Sequence, residues 1–266
     1  MPELPEVENL RLGLKKTILG QKIKKVIVTK PKLVSGSGTI RPASKKAQNE
    51  FIKGIAGERF IGIERRAKNL IFKLSHGKIM LVHLKMTGQF VYKGKTGKNS
   101  VVGGHPIEIS EKVLPNKHTH IIFELERGVL YYNDTRTFGY LLYYPSLQEF
   151  EKKNHFKELG KEPLDKDFTV KYFIDSLKNK KSKIKTVLMG QSVVTGVGNI
   201  YTDESLFESR IDPRRIASSL KGIEVRKLHD IIVSVMKRAI KAGGSSVATY
   251  RLLDDSRGNY AREHKV

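Results

Sequence analysis

Apolar residues recur along this chain with two different periods, and the change of period divides it. Near the start, Val7, Leu10 and Leu14 fall on one face of a helix. Pro5, with Glu6 and Glu8 behind it, is ordinary helix-start chemistry. The pattern then turns to short β-branched or aromatic runs. Lys22–Lys30, Phe60–Glu64, Asn69–Leu74, Ile79–Leu84, Gln89–Tyr92, His120–Leu125, Val129–Asn133 and Tyr140–Tyr144 read as strands, punctuated by Gly57, Gly77, Gly88 and Gly128. Many short strands with turn signals between them predict an antiparallel sandwich or barrel. Lys93–Lys117 is rich in Gly, Lys and Ser, weakly patterned, and reads as an exposed loop or insertion.

Beyond that the helical period takes over. Phe173, Ile174 and Leu177 form one apolar stripe, Ile184, Val187 and Leu188 a second, and Ile200, Leu206 and Phe207 a third. Gly222–Ala242 is the clearest helix, with Leu228, Ile231, Ile232, Val235, Met236, Ala239 and Ile240 on one face and Gly243-Gly244 as its stop. The switch of period near Tyr144–Gly160, where Pro145 and polar residues suggest a linker, predicts an α+β chain with units at 1–146 and 147–266.

Composition narrows the function. The 266 residues hold 50 Lys+Arg against 27 Asp+Glu, a net charge of +23 that points to a polyanionic partner. Nucleic acid is the first candidate, because phosphate neutralisation rewards clustered lysines with counterion release. A membrane is not expected: there is no long apolar run and no basic amphipathic helix. Residues 1–20 carry acidic groups and lack an apolar segment, so no signal peptide is read and a cytoplasmic location follows as the default. With no cysteine and eight dispersed histidines, neither disulfides nor a metal site are expected.

Several short segments can carry chemistry. If Met1 is removed, Pro2 becomes a free secondary amine, titrating near about 8 rather than the ~10.4 of lysine and usable as a nucleophile at neutral pH. On a sugar aldehyde carbon it forms an iminium, an electron sink suited to cutting a nucleotide from its sugar. Glu3 stands beside it. On helix grammar alone, ordinary helix-start chemistry is the favoured account of these residues. Thr195-Gly196-Val197-Gly198-Asn199 permits a tight turn, and its free N–H groups and Asn199 could grip a phosphate or simply turn the chain. Five lysines lie within residues 178–185, either a solvated face or a phosphate-binding one. Lys68 follows Arg65-Arg66-Ala67 at the mouth of a strand. Arg136 and Phe138 sit at a hairpin tip and Met86 at another turn, where an apolar side chain either enters a core or pushes into a base stack.

The PELPEVE start, RRAKNL, HLKMTG, KHTH, DTRTFG, the lysine run and TGVGNIYTDESLF occur in that order. The chain resembles the formamidopyrimidine-DNA glycosylase family from Pro2 to about His264. The resemblance implies an N-terminal antiparallel β-sandwich carrying an N-terminal helix, then a helical domain with a helix–two-turns–helix motif. It implies a glycosylase with abasic-site lyase activity on oxidised purines such as 8-oxoguanine and formamidopyrimidines in damaged double-stranded DNA, with a nucleoid-associated location expected; a monomer is the simplest reading of the chain. Pro2 is expected as nucleophile, Glu3 as acid/base, Lys68 as proton donor in β-elimination and Glu6 as an auxiliary acid. His118, Arg136, Lys180, Lys181, Lys185 and Asn199 match positions that hold DNA. Met86, Arg136 and Phe138 match the residues that fill the gap left by the extruded base, and Ser245, Ser246 and Tyr250 the lid over it. Family members usually end in a four-cysteine zinc finger; this sequence has no cysteine, so the finger and its zinc are expected to be lacking and no cofactor is implied. Lys85, Thr137 and Gly190 also depart from the family pattern. A catalytically impaired binder of damaged or abasic DNA is the alternative, and a structural RNA binder a more distant one.

Overall fold

In the computed structural model the described residues are 1–38, 40–95, 99–104 (backbone path), 113–245, 260 and 266. Helix α1, Leu4–Ile18, opens with Pro5 in its first turn and buries Val7, Leu10, Leu14 and Ile18. The strands that follow are β1 (Ile23–Val28), β2 (Phe60–Arg66), β3 (Asn69–Leu74), β4 (Ile79–His83), β5 (Gly88–Gly94), β6 (Asn99–Gly104), β7 (Thr119–Leu125), β8 (Gly128–Asp134) and β9 (Tyr140–Tyr144). They form a five-stranded sheet, β1-β7-β8-β5-β6, and a four-stranded sheet, β2-β3-β4-β9. Every pairing is antiparallel.

The two sheets share one core. Val26, Phe90, Phe123, Leu130 and Tyr132 meet Phe60, Ile63, Phe72, Met80, Val82 and Leu141 there, with the apolar face of α1 and with Phe51 and Ile55. This is the expected sandwich with its N-terminal helix. Three parts of it differ from the sequence expectation. Helix α2, Lys45–Ile55, is capped by the Ser44 side chain and supplies Phe51 and Ile55. The stretch 93–117, expected as a loop, contains β6, an edge strand whose register on β5 runs from Gln89↔Gly104 to Lys93↔Asn99. Within the expected linker, helix α3, Leu147–Lys152, lays Phe150 on the outer face of the four-stranded sheet, beside Tyr144, Leu142 and Phe156.

The second core is helical. Helices α4 (Val170–Leu177), α5 (Ile184–Met189), α6 (Asn199–Ser209) and α7 (Gly222–Lys241) gather Phe173, Leu177, Ile184, Leu188, Tyr201, Leu206, Leu228, Ile232, Val235 and Met236. Helices α5 and α6, joined through the double-glycine turn, make the helix–two-turns–helix unit. One residue from the start of the chain, Leu4, is buried in this second core.

Candidate functional site

The N-terminal segment is plugged into the turn before α6. The Leu4 N–H donates to the Gly196 carbonyl at 3.0 Å. Pro2 is buried, and Glu3 is 4 % exposed. One Glu3 oxygen accepts the Gly198 N–H at 2.7 Å, the other the Ile200 N–H at 3.0 Å. These are orphan donors of a helix N-terminus, where the dipole also favours an anion. The glycines make the approach possible. A Cβ on Gly198 would fall 2.4 Å from Glu3 Cδ, and Gly196, at φ +86°, would place one 2.6 Å from Leu4. The Gly198 and Ile200 N–H groups, two of those the sequence offered to a phosphate, are therefore taken by Glu3; the Asn199 side chain stands exposed at the helix start.

A second carboxylate lies beside the first. Glu6 Oε2 accepts the Glu3 N–H at 2.8 Å, and Glu6 Oε1 accepts the Tyr201 hydroxyl and, at 2.8 Å, the Ser245 N–H. Burial pushes the Glu3 carboxyl up to about 7, with the Glu6 carboxylate adding to it and Lys68 and the Ile200 and Gly198 N–H groups pulling the other way. A carboxyl poised there can give or take a proton at neutral pH.

Lys68 reaches the same place from the sheet. It sits in the tight turn between β2 and β3, where Arg66 pairs with Asn69. It is 7 % exposed, and its ammonium donates to the Val197 carbonyl at 3.2 Å. Burial holds its pKa below the ordinary lysine value, against the pull of Glu3 and Glu6 and with a push from Lys85. Pro2, Glu3, Glu6 and Lys68, from two distant segments, are thus assembled on the GVGN turn. Two buried contributors carried no sequence signal of a role: Tyr201, whose hydroxyl serves Glu6, and Glu162, which grips the β2–β3 turn through the Ala67 N–H at 2.5 Å.

A different group of candidates forms at the sandwich surface. The Arg136 guanidinium stacks 4.6 Å from the Phe138 ring centroid and donates to Met86 Sδ at 3.4 Å. Met86 is 42 % exposed. The turn beneath them is braced by Asp134, which accepts from Thr87 and, at 2.8 Å, from the Gly139 N–H, and by Arg41, which donates to the Thr137 and Gly139 carbonyls. Exposed Met86 and Arg136 beside a half-buried Phe138, on a stiff support, are what a wedge requires. His118 is part-buried on the approach to β7, its N–H held by Asn116. Lys180 and Lys181 are exposed. Lys185 is not: its ammonium is paired with Asp203 of α6 at 2.8 Å. Ser245 is buried against Glu6 and Tyr201, while Ser246 and Tyr250 lie outside the described residues.

The donor set does not fit a cysteine-ligated zinc. The 266 residues include no cysteine, and among the described residues no group of three or more His, Cys, Asp or Glu could hold a metal. Among the described residues no helix is long and apolar enough to cross a membrane.

Comparison with known proteins agrees with this architecture. Residues 1–141 match the model of the formamidopyrimidine-DNA glycosylase N-terminal domain, and residues 159–251 that of its H2TH domain. The formamidopyrimidine-DNA glycosylase of Desulfitobacterium hafniense is 34% identical over 266 residues, spanning 100% of this chain and 88% of the relative. That of Streptococcus mutans is 37% identical over 252 residues, 94% of this chain and 82% of the relative. Among solved structures, a Lactococcus lactis FPG variant in complex with a Fapy-dG containing DNA superposes with a TM-score of 0.84 at 33% identity, covering 100% of this chain and 88% of that one. The Lactococcus lactis Fpg with an abasic site containing DNA superposes at 0.83 and 32% identity, covering 99% and 87%. A β-sandwich and a helix–two-turns–helix body meeting on a buried N-terminal carboxylate define a two-part enzyme class. The chain belongs to the formamidopyrimidine-DNA glycosylase family.

Proposed function

We propose that this protein is a bifunctional DNA glycosylase and abasic-site lyase that removes oxidised purines from duplex DNA. The observation that carries the reading is the seating of Glu3, next to Pro2, on the GVGN turn with Lys68 beside it. Three groups that the chemistry needs converge on one buried point.

With Met1 removed, the Pro2 nitrogen attacks C1′ of an extruded nucleotide. The C1′–N bond to the base breaks as the C1′–N bond to proline forms, and the base leaves with the proton that the proline nitrogen gives up. Glu3, whose carboxyl is near half-protonated at neutral pH, gives a proton to the ring oxygen as the sugar opens. The resulting iminium acidifies the C2′ hydrogen. Its loss expels the 3′ phosphate and nicks the strand, with the Lys68 ammonium supplying a proton on the leaving side; water then releases the sugar from Pro2. Extrusion is required because C1′ is unreachable inside an intact stack, and it costs a few kcal/mol, least at a damaged base. Met86, Arg136 and Phe138 offset that cost by filling the gap. Arg136, Lys180, Lys181, Lys185, His118 and Asn199 hold the backbone, and the segment from Ser245 through Ser246 and Tyr250 covers the extruded base.

Borohydride trapping on an 8-oxoguanine duplex tests this. The expected result is a covalent adduct at the processed N-terminus, reduced at least about tenfold by Pro2→Gly. A mature chain that retains Met1, or one that forms no adduct with Pro2 free, refutes the reading.

A further inference from the structure

Arg65 ties together the segments that make the site. Its guanidinium pairs with Glu8 of α1 at 3.0 Å and with Glu162 at 2.7 Å. Glu162 is 4 % exposed, yet its carboxylate makes none of the contacts the reaction needs. It faces the Arg65 guanidinium, the Arg66 guanidinium at 3.6 Å and the Ala67 N–H at 2.5 Å. Burial works against the charge on Arg65, but Glu162 and then Glu8 hold its pKa above the ordinary value.

The turn so gripped is strained. Ala67 has φ +53°, a left-handed conformation disfavoured for a residue with a Cβ, and glycine or asparagine is the usual choice in a two-residue hairpin loop. Such conformations persist when their surroundings over-determine them. Lys68 is the next residue. On its other side Glu162 is anchored to the GVGN turn: the neighbouring Lys161 carbonyl accepts the Thr195 N–H at 2.9 Å, and Lys161 pairs with Val194 as a parallel bridge. One carboxylate therefore connects the backbone entering the GVGN turn to the loop that presents Lys68, whose ammonium rests on Val197 of that same turn.

We infer that Glu162 is a positioning residue. By holding Ala67 in its left-handed conformation and pairing with Arg65, it sets where the Lys68 ammonium stands relative to Glu3. A buried ion pair is weak support for stability in itself, whereas fixing one arrangement among several is a recognised use of such groups. The inference rests on the functional reading above and concerns only how Lys68 is placed.

The test measures single-turnover cleavage of an abasic-site duplex, its Kd, and amide exchange of the Phe60–Ser75 peptide in the free protein. Glu162→Ala is expected to slow cleavage by about tenfold or more while Kd moves by less than about threefold, and to speed exchange across the turn. Glu162→Gln keeps an acceptor for Ala67 but loses the charge, and falls between. Adding Ala67→Gly to Glu162→Gln is expected to restore most of the rate, since glycine adopts that φ unaided. The inference is overturned if Glu162→Ala leaves either cleavage or exchange unchanged, if Kd rises by as large a factor as the rate falls, or if Ala67→Gly gives no recovery. Failure of the wild-type chain to cleave would refute the functional reading instead, and exchange at Phe60–Ser75 would then decide by itself whether Glu162 holds the β2–β3 turn.

Discussion

Glu3 receives opposed instructions from its surroundings, and their balance sets a pH dependence. Burial and the Glu6 carboxylate raise its pKa to about 7, while Lys68 and two backbone N–H groups favour the charged form. The folded-state value lies above that of the unfolded chain. The associated stability is therefore fully present below the unfolded value of 4.5 and is lost as pH rises through about 7. For catalysis Glu3 must be protonated and the Pro2 amine unprotonated, so single-turnover base excision should decline once pH has passed both the Glu3 value of about 7 and the ordinary ~8 of the terminal amine. Glu3→Gln should remove that limb and lower the rate by roughly 10²–10⁴, the usual worth of a positioned acid. A pH–rate profile of both proteins checks this; a wild-type rate that does not fall at pH well above ~8 would rule out Glu3 as the donor. At this scale the site was half legible. Pro2, Glu3 and Lys68 stand in short motifs whose chemistry can be read locally. Tyr201 and Glu162 have no such signature, because their roles exist only once a helix start and a hairpin turn have been brought to the same point.

The elements that sequence pattern predicted well are those whose own residues bury a face. Strand β3, with Leu70, Phe72 and Leu74 in the core, and helix α7, with its long stripe, leave little choice of conformation. The ones it missed depend on distant partners. Edge strand β6 is made of residues with little strand preference and is fixed by hydrogen bonds to β5. Helix α2 is short, with an apolar stripe confined to its last turns. Helix α3 is short and is fixed by Phe150, which meets Tyr144 at 5.3 Å and Phe156 at 5.9 Å. The α5–α6 unit was legible, but its internal charge pairing was not. Lys185, expected to hold a phosphate, is engaged by Asp203 of α6, a half-exposed pair of the kind worth about 0–1 kcal/mol to the fold. Bound phosphate must displace or share that carboxylate. Asp203→Asn should leave the melting temperature nearly unchanged and tighten binding to undamaged duplex by about fivefold, from the roughly 1 kcal/mol of like-charge repulsion removed. Titration at fixed salt checks it; unchanged or weaker binding would mean that Lys185 does not reach the backbone.

Over the whole molecule two cores with separate apolar interiors are clamped by the N-terminus, which starts in the helical core at Leu4 and continues into the sandwich from Val7 onward. The catalytic candidates sit on that crossing, whereas the wedge trio belongs to the sandwich and the lysine run to the helical body. A duplex engaged by all three would touch both cores. The net charge of +23 supplies the attraction, but only cations that reach phosphates contribute to its salt dependence. Each neutralised phosphate lowers the slope of log K against log salt concentration by about 0.9. Arg136, Lys180, Lys181 and Lys185 together therefore predict a slope of about −4 or steeper. The two groups of residues should separate in this measurement. Lys180→Ala with Lys181→Ala should make the slope shallower by about 2 and weaken damaged and undamaged duplexes alike, because phosphates carry no lesion information. Phe138→Ala should leave the slope in place and reduce the preference for an abasic-site duplex, because a stacking wedge acts only where a base has left the helix. Lysine variants that lose lesion preference at an unaltered slope would assign the run to the lesion pocket and refute its place on the backbone.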